Sequence, residues 1–119
     1  MRITMMTILA AMGLMLGGSA LASGMPALAK KNGCDSCHDI YKRVVGPSWM
    51  EVSKRYKGVK TYSFAGKDYP LEDGLIMKVS KGGSGKWASM PMPPNDPNGA
   101  NQAEMRELVK FVLGLASAP

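Results

Sequence analysis

Five consecutive residues, Cys34-Asp35-Ser36-Cys37-His38, constrain this chain more than any other feature. They hold both cysteines and the single histidine of the 119-residue sequence. Two thiols three positions apart, followed at once by an imidazole, are what covalent haem attachment needs. Each thiol adds across one of the two haem vinyl groups to give a thioether. The two intervening residues let the backbone turn so that both sulfurs reach neighbouring vinyls. His38 then projects over the iron as an axial ligand. Other uses of the pair fit less well. A Cys34–Cys37 disulfide is open to an exported chain. A thioredoxin-like redox pair wants a βαβ setting that this Gly/Pro-rich sequence lacks. A zinc site wants further Cys or His ligands, and the sequence has none.

The N-terminus reads as an export signal. Met1-Arg2 supplies a positive charge, and Ile3 to Leu16 is apolar apart from Thr4, Thr7 and Gly13. Gly17-Gly18-Ser19 loosens the segment, and Ala20-Leu21-Ala22 places small residues where a signal peptidase reads them. The apolar run is short for a membrane anchor. Residues 1–22 are therefore expected to be removed, leaving residues 23–119 as one small domain in the periplasm, without stable membrane insertion. Without Arg2 the chain keeps 14 Lys and Arg against 9 Asp and Glu, a formal charge of +5. The basic residues are scattered, with no Arg-rich stripe interleaved with aromatics, which argues against nucleic acid as a partner. They are either ordinary solvated lysines or a basic face that steers the protein toward an acidic partner.

Short helices and turns account for most of the remainder. Pro26 to Asn32 suits a short first helix stopped by Gly33. Ser48 caps a helix to about Tyr56, closed by Gly58. Residues 59–69 alternate weakly and read as loop with a strand fragment at most. Pro70 starts a helix to about Ser80 with Leu71, Leu75, Ile76 and Val79 on one face, and Gly82-Gly83 stops it. Asn101-Gln102-Ala103-Glu104 resembles a capping box, and Met105, Leu108, Val109, Val112 and Leu113 give the last helix one apolar face. Between these helices, Ser84 to Gly99 holds Pro91, Pro93, Pro94 and Pro97 and is expected to be irregular. Prolines fix the backbone and remove donors, so such a loop suits holding one side chain in place. Met92 stands between Pro91 and Pro93. Its thioether is a neutral, soft ligand that raises the potential of a His-ligated iron; filling core space is the other use of such a residue.

From residue 25 to 115 the sequence resembles the class I c-type cytochromes, the small monohaem group of bacteria. The resemblance rests on Asn32-Gly33-Cys34-Asp35-Ser36-Cys37-His38, Val45-Gly46-Pro47, Met90-Pro91-Met92-Pro93-Pro94-Asn95 and the closing helix. It implies an all-α fold, with four or five short helices and a Pro-rich Met loop wrapped around one covalent haem c. It implies His38 as proximal and Met92 as distal iron ligand. Pro47 would pack on His38 with its carbonyl accepting the imidazole Nδ1–H, which orients the ring. Trp87 would stand where the family has a Trp bonded to a haem propionate, and Asn95 would donate to the methionine sulfur. Met90 departs from the pattern, placing a second thioether two positions from the first. The function implied is that of a monomeric, non-enzymatic single-electron carrier that docks transiently on redox protein donors and acceptors of a respiratory chain. The alternatives are a haem enzyme or gas sensor with a labile sixth ligand, and a small cytochrome subunit of a larger respiratory complex.

Overall fold

The computed structural model describes residues 24–87 and 89–117. The export segment expected over residues 1–22 lies outside these described residues. The chain runs α1 (Ala27–Lys31), a single 3-10 turn (Cys34–Ser36), α2 (Trp49–Tyr56), β1 (Thr61–Phe64), β2 (Lys67–Pro70), α3 (Leu71–Lys81), α4 (Gln102–Gly114) and a final 3-10 turn (Leu115–Ser117). Helix dominates, as expected, and no helix among the described residues is long and apolar enough to cross a membrane.

Each helix begins where its local chemistry permits. Before α2 the Ser48 hydroxyl accepts the Glu51 amide N–H at 3.1 Å, and the Glu51 carboxylate accepts the Ser48 N–H at 2.9 Å. This reciprocal box satisfies two donors that a helix start would otherwise leave orphaned. Helix α3 carries Glu72 and Asp73 in its first turn and Lys78 and Lys81 in its last, the polarity its dipole favours. The capping box expected at α4 is absent: Asn101 makes no side-chain cap. Its backbone N–H instead donates to the buried Asp96 carboxylate, and Glu104 turns away to pair with Lys31 at 2.6 Å. Proximity to α1 outweighs the local motif.

Residues 59–69 fold differently from the loop expected. Strands β1 and β2 form an antiparallel hairpin in which Tyr62 opposes Tyr69 and Phe64 opposes Lys67. The two-residue turn is Ala65-Gly66, both with positive φ (51° and 78°), the geometry that matches the twist of paired strands. The hairpin packs on α3 and turns Tyr62 inward, where it meets Tyr56 edge-on at 5.6 Å between ring centroids. The core joins Ala29 of α1, Trp49 and Tyr56 of α2, Tyr62, Leu75 and Ile76 of α3, and Met105, Leu108 and Val109 of α4.

Burial gives Tyr62 a pH signature. Desolvation pushes its phenol up to about 12, with Tyr56 adding to the effect and Arg55 opposing it. In the unfolded chain a tyrosine ionises near ~10. Folding thus favours the neutral phenol, so this contribution is complete below that pH and is lost as pH rises through the folded value. Tyr62→Phe is expected to remove a loss on the order of 1–2 kcal/mol between about pH 10 and pH 12, read from urea unfolding of both proteins.

Candidate haem site

The site is built outward from the end of α1. Asn32 ends the helix and Gly33, at φ 72°, reverses the chain. The 3-10 turn follows, and the Cys34 carbonyl accepts both the Cys37 and His38 amides, at 3.2 and 2.9 Å. This tight turn brings Cys34, Cys37 and His38 to the wall of one cavity. Burial pushes the Cys34 thiol up, the opposite of the depressed value that a thiolate redox pair uses.

His38 is held in a defined tautomer. Its Nδ1 lies 2.8 Å from the Pro47 carbonyl oxygen. A carbonyl only accepts, so Nδ1 carries the hydrogen and Nε2 keeps the lone pair that binds a metal. Pro47 is buried, and the turn ahead of it is fixed by Gly46 N–H donating to the Cys37 carbonyl at 2.8 Å. Gly46 also leaves room for the ring: a Cβ there would sit 2.6 Å from His38 Cε1. Gly46→Ala is therefore expected to displace the imidazole and stretch its bond to Pro47, costing roughly 1–3 kcal/mol. A shift of the His38 ring proton resonances together with a lowered urea midpoint would check this.

The Met92 wall is fixed from three directions. The Met92 N–H donates to the Gly83 carbonyl at 2.9 Å, and the Gly83 N–H donates back to the Met92 carbonyl at 3.0 Å. Gly82 closes α3 at φ 75°, and a Cβ there would run into the Met92 carbonyl oxygen. Only glycine combines that conformation with that approach. Beyond the prolines, the Asn95 and Asp96 amides donate to the Val79 and Ser80 carbonyls. The Asp96 carboxylate accepts from Asn101 N–H and, at 2.7 Å, from Gln102 Nε2. The loop is thus clamped between the end of α3 and the start of α4. Asn95 was expected to donate to the methionine sulfur. In this structure its Nδ2 donates to the Val79 and Pro93 carbonyls, both at 3.2 Å, and so holds the loop backbone.

Cys34, Cys37, His38, Met92 and Trp87 all line the same cavity. It holds about 1110 Å³ of empty space counting its open mouth. Trp49, Val52, Leu75, Val79, Leu108, Val109 and Val112 make the walls apolar. These residues fit a haem: two thiols for its vinyls, one imidazole lone pair for its iron, and an apolar slot for its ring. They also fit its two carboxylates, because Lys78 and Lys86 stand at the Trp87 end of the cavity. Burial, then the charge of Lys86, holds the Lys78 amine below its ordinary value. Lys86 Nζ lies 4.5 Å from the Tyr62 ring centroid, and the Arg55 guanidinium lies 4.4 Å from that of Trp87. Met90 also lines the cavity but is 63% exposed.

The sequence pattern did not single out Tyr62, Lys78 or Lys86 as lining residues. Tyr62 arrives on the hairpin, and both lysines resemble ordinary surface cations until α3 and the glycine-rich turn after it bring them to the cavity edge.

Comparison with known proteins gives the same reading. No family model matches the chain. It is 39% identical over 88 residues to cytochrome c-552 of Hydrogenobacter thermophilus, covering 74% of this chain and 78% of that protein. It is 39% identical to cytochrome c-551 of Allochromatium vinosum, covering 74% and 82%. The fold superposes on the crystal structure of Nitrosomonas europaea cytochrome c552 with a TM-score of 0.60 at 34% identity, covering 74% of this chain and 95% of that one. The cavity, its paired thiols and these likenesses lead to one conclusion: the chain belongs to the small bacterial class I c-type cytochromes and carries a covalently attached haem c.

Proposed function

We propose that this haem c electron carrier works in the periplasm, with the iron held between His38 Nε2 and the Met92 sulfur, and passes single electrons between respiratory redox proteins. The observation that carries the reading is the double hydrogen bond between Met92 and Gly83, on a loop clamped at both ends. A thioether bound to the iron from this loop would leave no open iron position for a substrate, as a carrier requires and an enzyme or gas sensor does not. The haem, when bound, supplies a one-electron Fe(II)/Fe(III) couple. The protein does the rest. His38 keeps one tautomer through Pro47, the apolar walls would exclude water, and Lys78, Lys86 and Trp87, which line the cavity, would hold the carboxylates. Val45 and Met90 line the cavity and are 44% and 63% exposed, leaving apolar surface at its opening for a partner to approach. Weak, transient contact there suits a monomer that must leave one partner and meet another. Residues 1–22 act as the export signal.

The test is a haem-stained denaturing gel with spectroelectrochemical titration of the mature protein. One covalently retained haem, a single reversible one-electron wave and no carbon monoxide adduct of the reduced protein at neutral pH are expected. Tight carbon monoxide binding under the same conditions would replace the carrier with an open-site haem protein.

A further inference from the structure

Among the described residues Met90 stands apart from the other methionines. It is 63% exposed, whereas Met25, Met50, Met77 and Met92 are partly buried and Met105 is fully buried. Ser89 and Pro91 on either side of it are exposed as well, and no backbone hydrogen bond joins it to another described residue. It nevertheless lines the haem cavity. One thioether thus borders both solvent and the cavity. Met90 is also where the sequence departs from the pattern it resembles. Any apolar side chain could cover that wall; sulfur adds a reaction.

The reaction is oxygen transfer from a hydroperoxide. A lone pair of the thioether attacks one peroxide oxygen, the O–O bond breaks and an S–O bond forms. The other oxygen takes up the proton and leaves as water, or as an alcohol from an organic peroxide. Sulfur is oxidised by two electrons and the peroxide is reduced by two. The product is a sulfoxide, polar where the thioether was apolar, and reductases return it to the thioether. Access to the sulfur lone pair decides which methionine reacts. Met90 offers its own to solvent, and Met105 is 0% exposed. Met92, in the carrier reading, gives its lone pair to the iron.

We infer that Met90 is the site at which this protein takes oxygen from a hydroperoxide, and that its sulfoxide slows electron exchange through the cavity opening. Of the exposed large hydrophobic side chains, Val45 and Met90 line the cavity. Oxidation makes one of these two polar. A partner that covers a sulfoxide must desolvate it, which costs free energy unless a donor replaces the lost water. The modification is reversible and leaves both iron ligands untouched, so it lowers the rate of exchange without altering the iron. The effect on exchange rests on the carrier reading; the site of oxidation does not.

The test treats ferric holoprotein with hydrogen peroxide and maps the added oxygen by proteolysis and mass spectrometry. Met90 should take up oxygen at least about tenfold faster than any other described methionine. Electron self-exchange between copies of the protein is then read from NMR line widths of mixed ferrous and ferric samples. Its rate should fall by about three- to tenfold on treatment and recover with methionine sulfoxide reductase. Met90→Leu, compared with its own untreated sample, should show no fall. Equal uptake at several methionines, or faster uptake at Met92, would overturn the site. Met90 sulfoxide with undiminished self-exchange, or an equal fall in treated Met90→Leu, would overturn the effect on exchange. The weak long-wavelength band of a methionine-ligated ferric haem and the midpoint potential, recorded before and after treatment, should not change. Loss of that band in step with Met90 oxidation would make Met90 the iron ligand, which overturns the Met92 assignment and this inference together; its retention confines any failure to the inference.

Discussion

Met92→Ala is expected to abolish the weak long-wavelength band of a methionine-ligated ferric haem and to lower the midpoint potential by on the order of 0.2 V. Axial ligands move haem potentials over roughly 0.8 V, and loss of a thioether that favours the reduced iron lies well within that span. Met90→Ala should leave the band in place and shift the potential little. The two methionines are chemically alike and only two positions apart, so their structural settings decide between them. Met92 is partly buried, with its N–H and carbonyl both bonded to Gly83 and the chain after it anchored to Val79 and Ser80. Met90 is 63% exposed, where holding its sulfur inward would forfeit solvated freedom with no backbone bond to a described residue in return. Optical and potentiometric titration of both variants checks the assignment. A band lost in Met90→Ala and kept in Met92→Ala would reverse it.

Much of this site was legible from residues alone, for a physical reason. Attachment chemistry needs Cys34, Cys37 and His38 at fixed spacing, and a loop with four prolines has few shapes. The Ser48–Glu51 box was legible because capping is local. What escaped depended on contacts distant in sequence. Ala65-Gly66 is a weaker hairpin signal than Asn-Gly, so β1 and β2 hid in a segment whose partner, α3, fixes them. Asn101 and Glu104 carry the letters of a capping box, but Asp96 and Lys31 offer them better partners. Asn95 sits next to Pro94 as the resemblance implies, yet its amide is spent on backbone carbonyls 3.2 Å away. Side-chain hydrogen bonds of this kind are chosen after the chain has folded.

The largest effect is expected from preventing attachment. Cys34→Ala with Cys37→Ala, purified free of haem, should lose its near-UV circular dichroism and its cooperative urea transition while keeping part of its helix signal. Among the described residues ten hydrophobic side chains form the buried core, and six of them (Trp49, Tyr56, Tyr62, Leu75, Leu108 and Val109) also line the cavity. Without a ring between them, these six border a cavity that no side chain fills. Removing the contacts of even one large core side chain costs about 2–5 kcal/mol, and domains of this size have about 5–15 kcal/mol in all. Losses at six linked positions exceed that margin. Helix and hairpin bonds are local and survive in part, so the outcome is a compact state with fluctuating side chains rather than a random coil. A haem-free double variant that unfolds cooperatively, with the holoprotein's dependence on urea, would show that the core closes without the cofactor. The expected result places the haem in the folding problem itself: the residues that hold it for electron transfer are the residues that need it to pack.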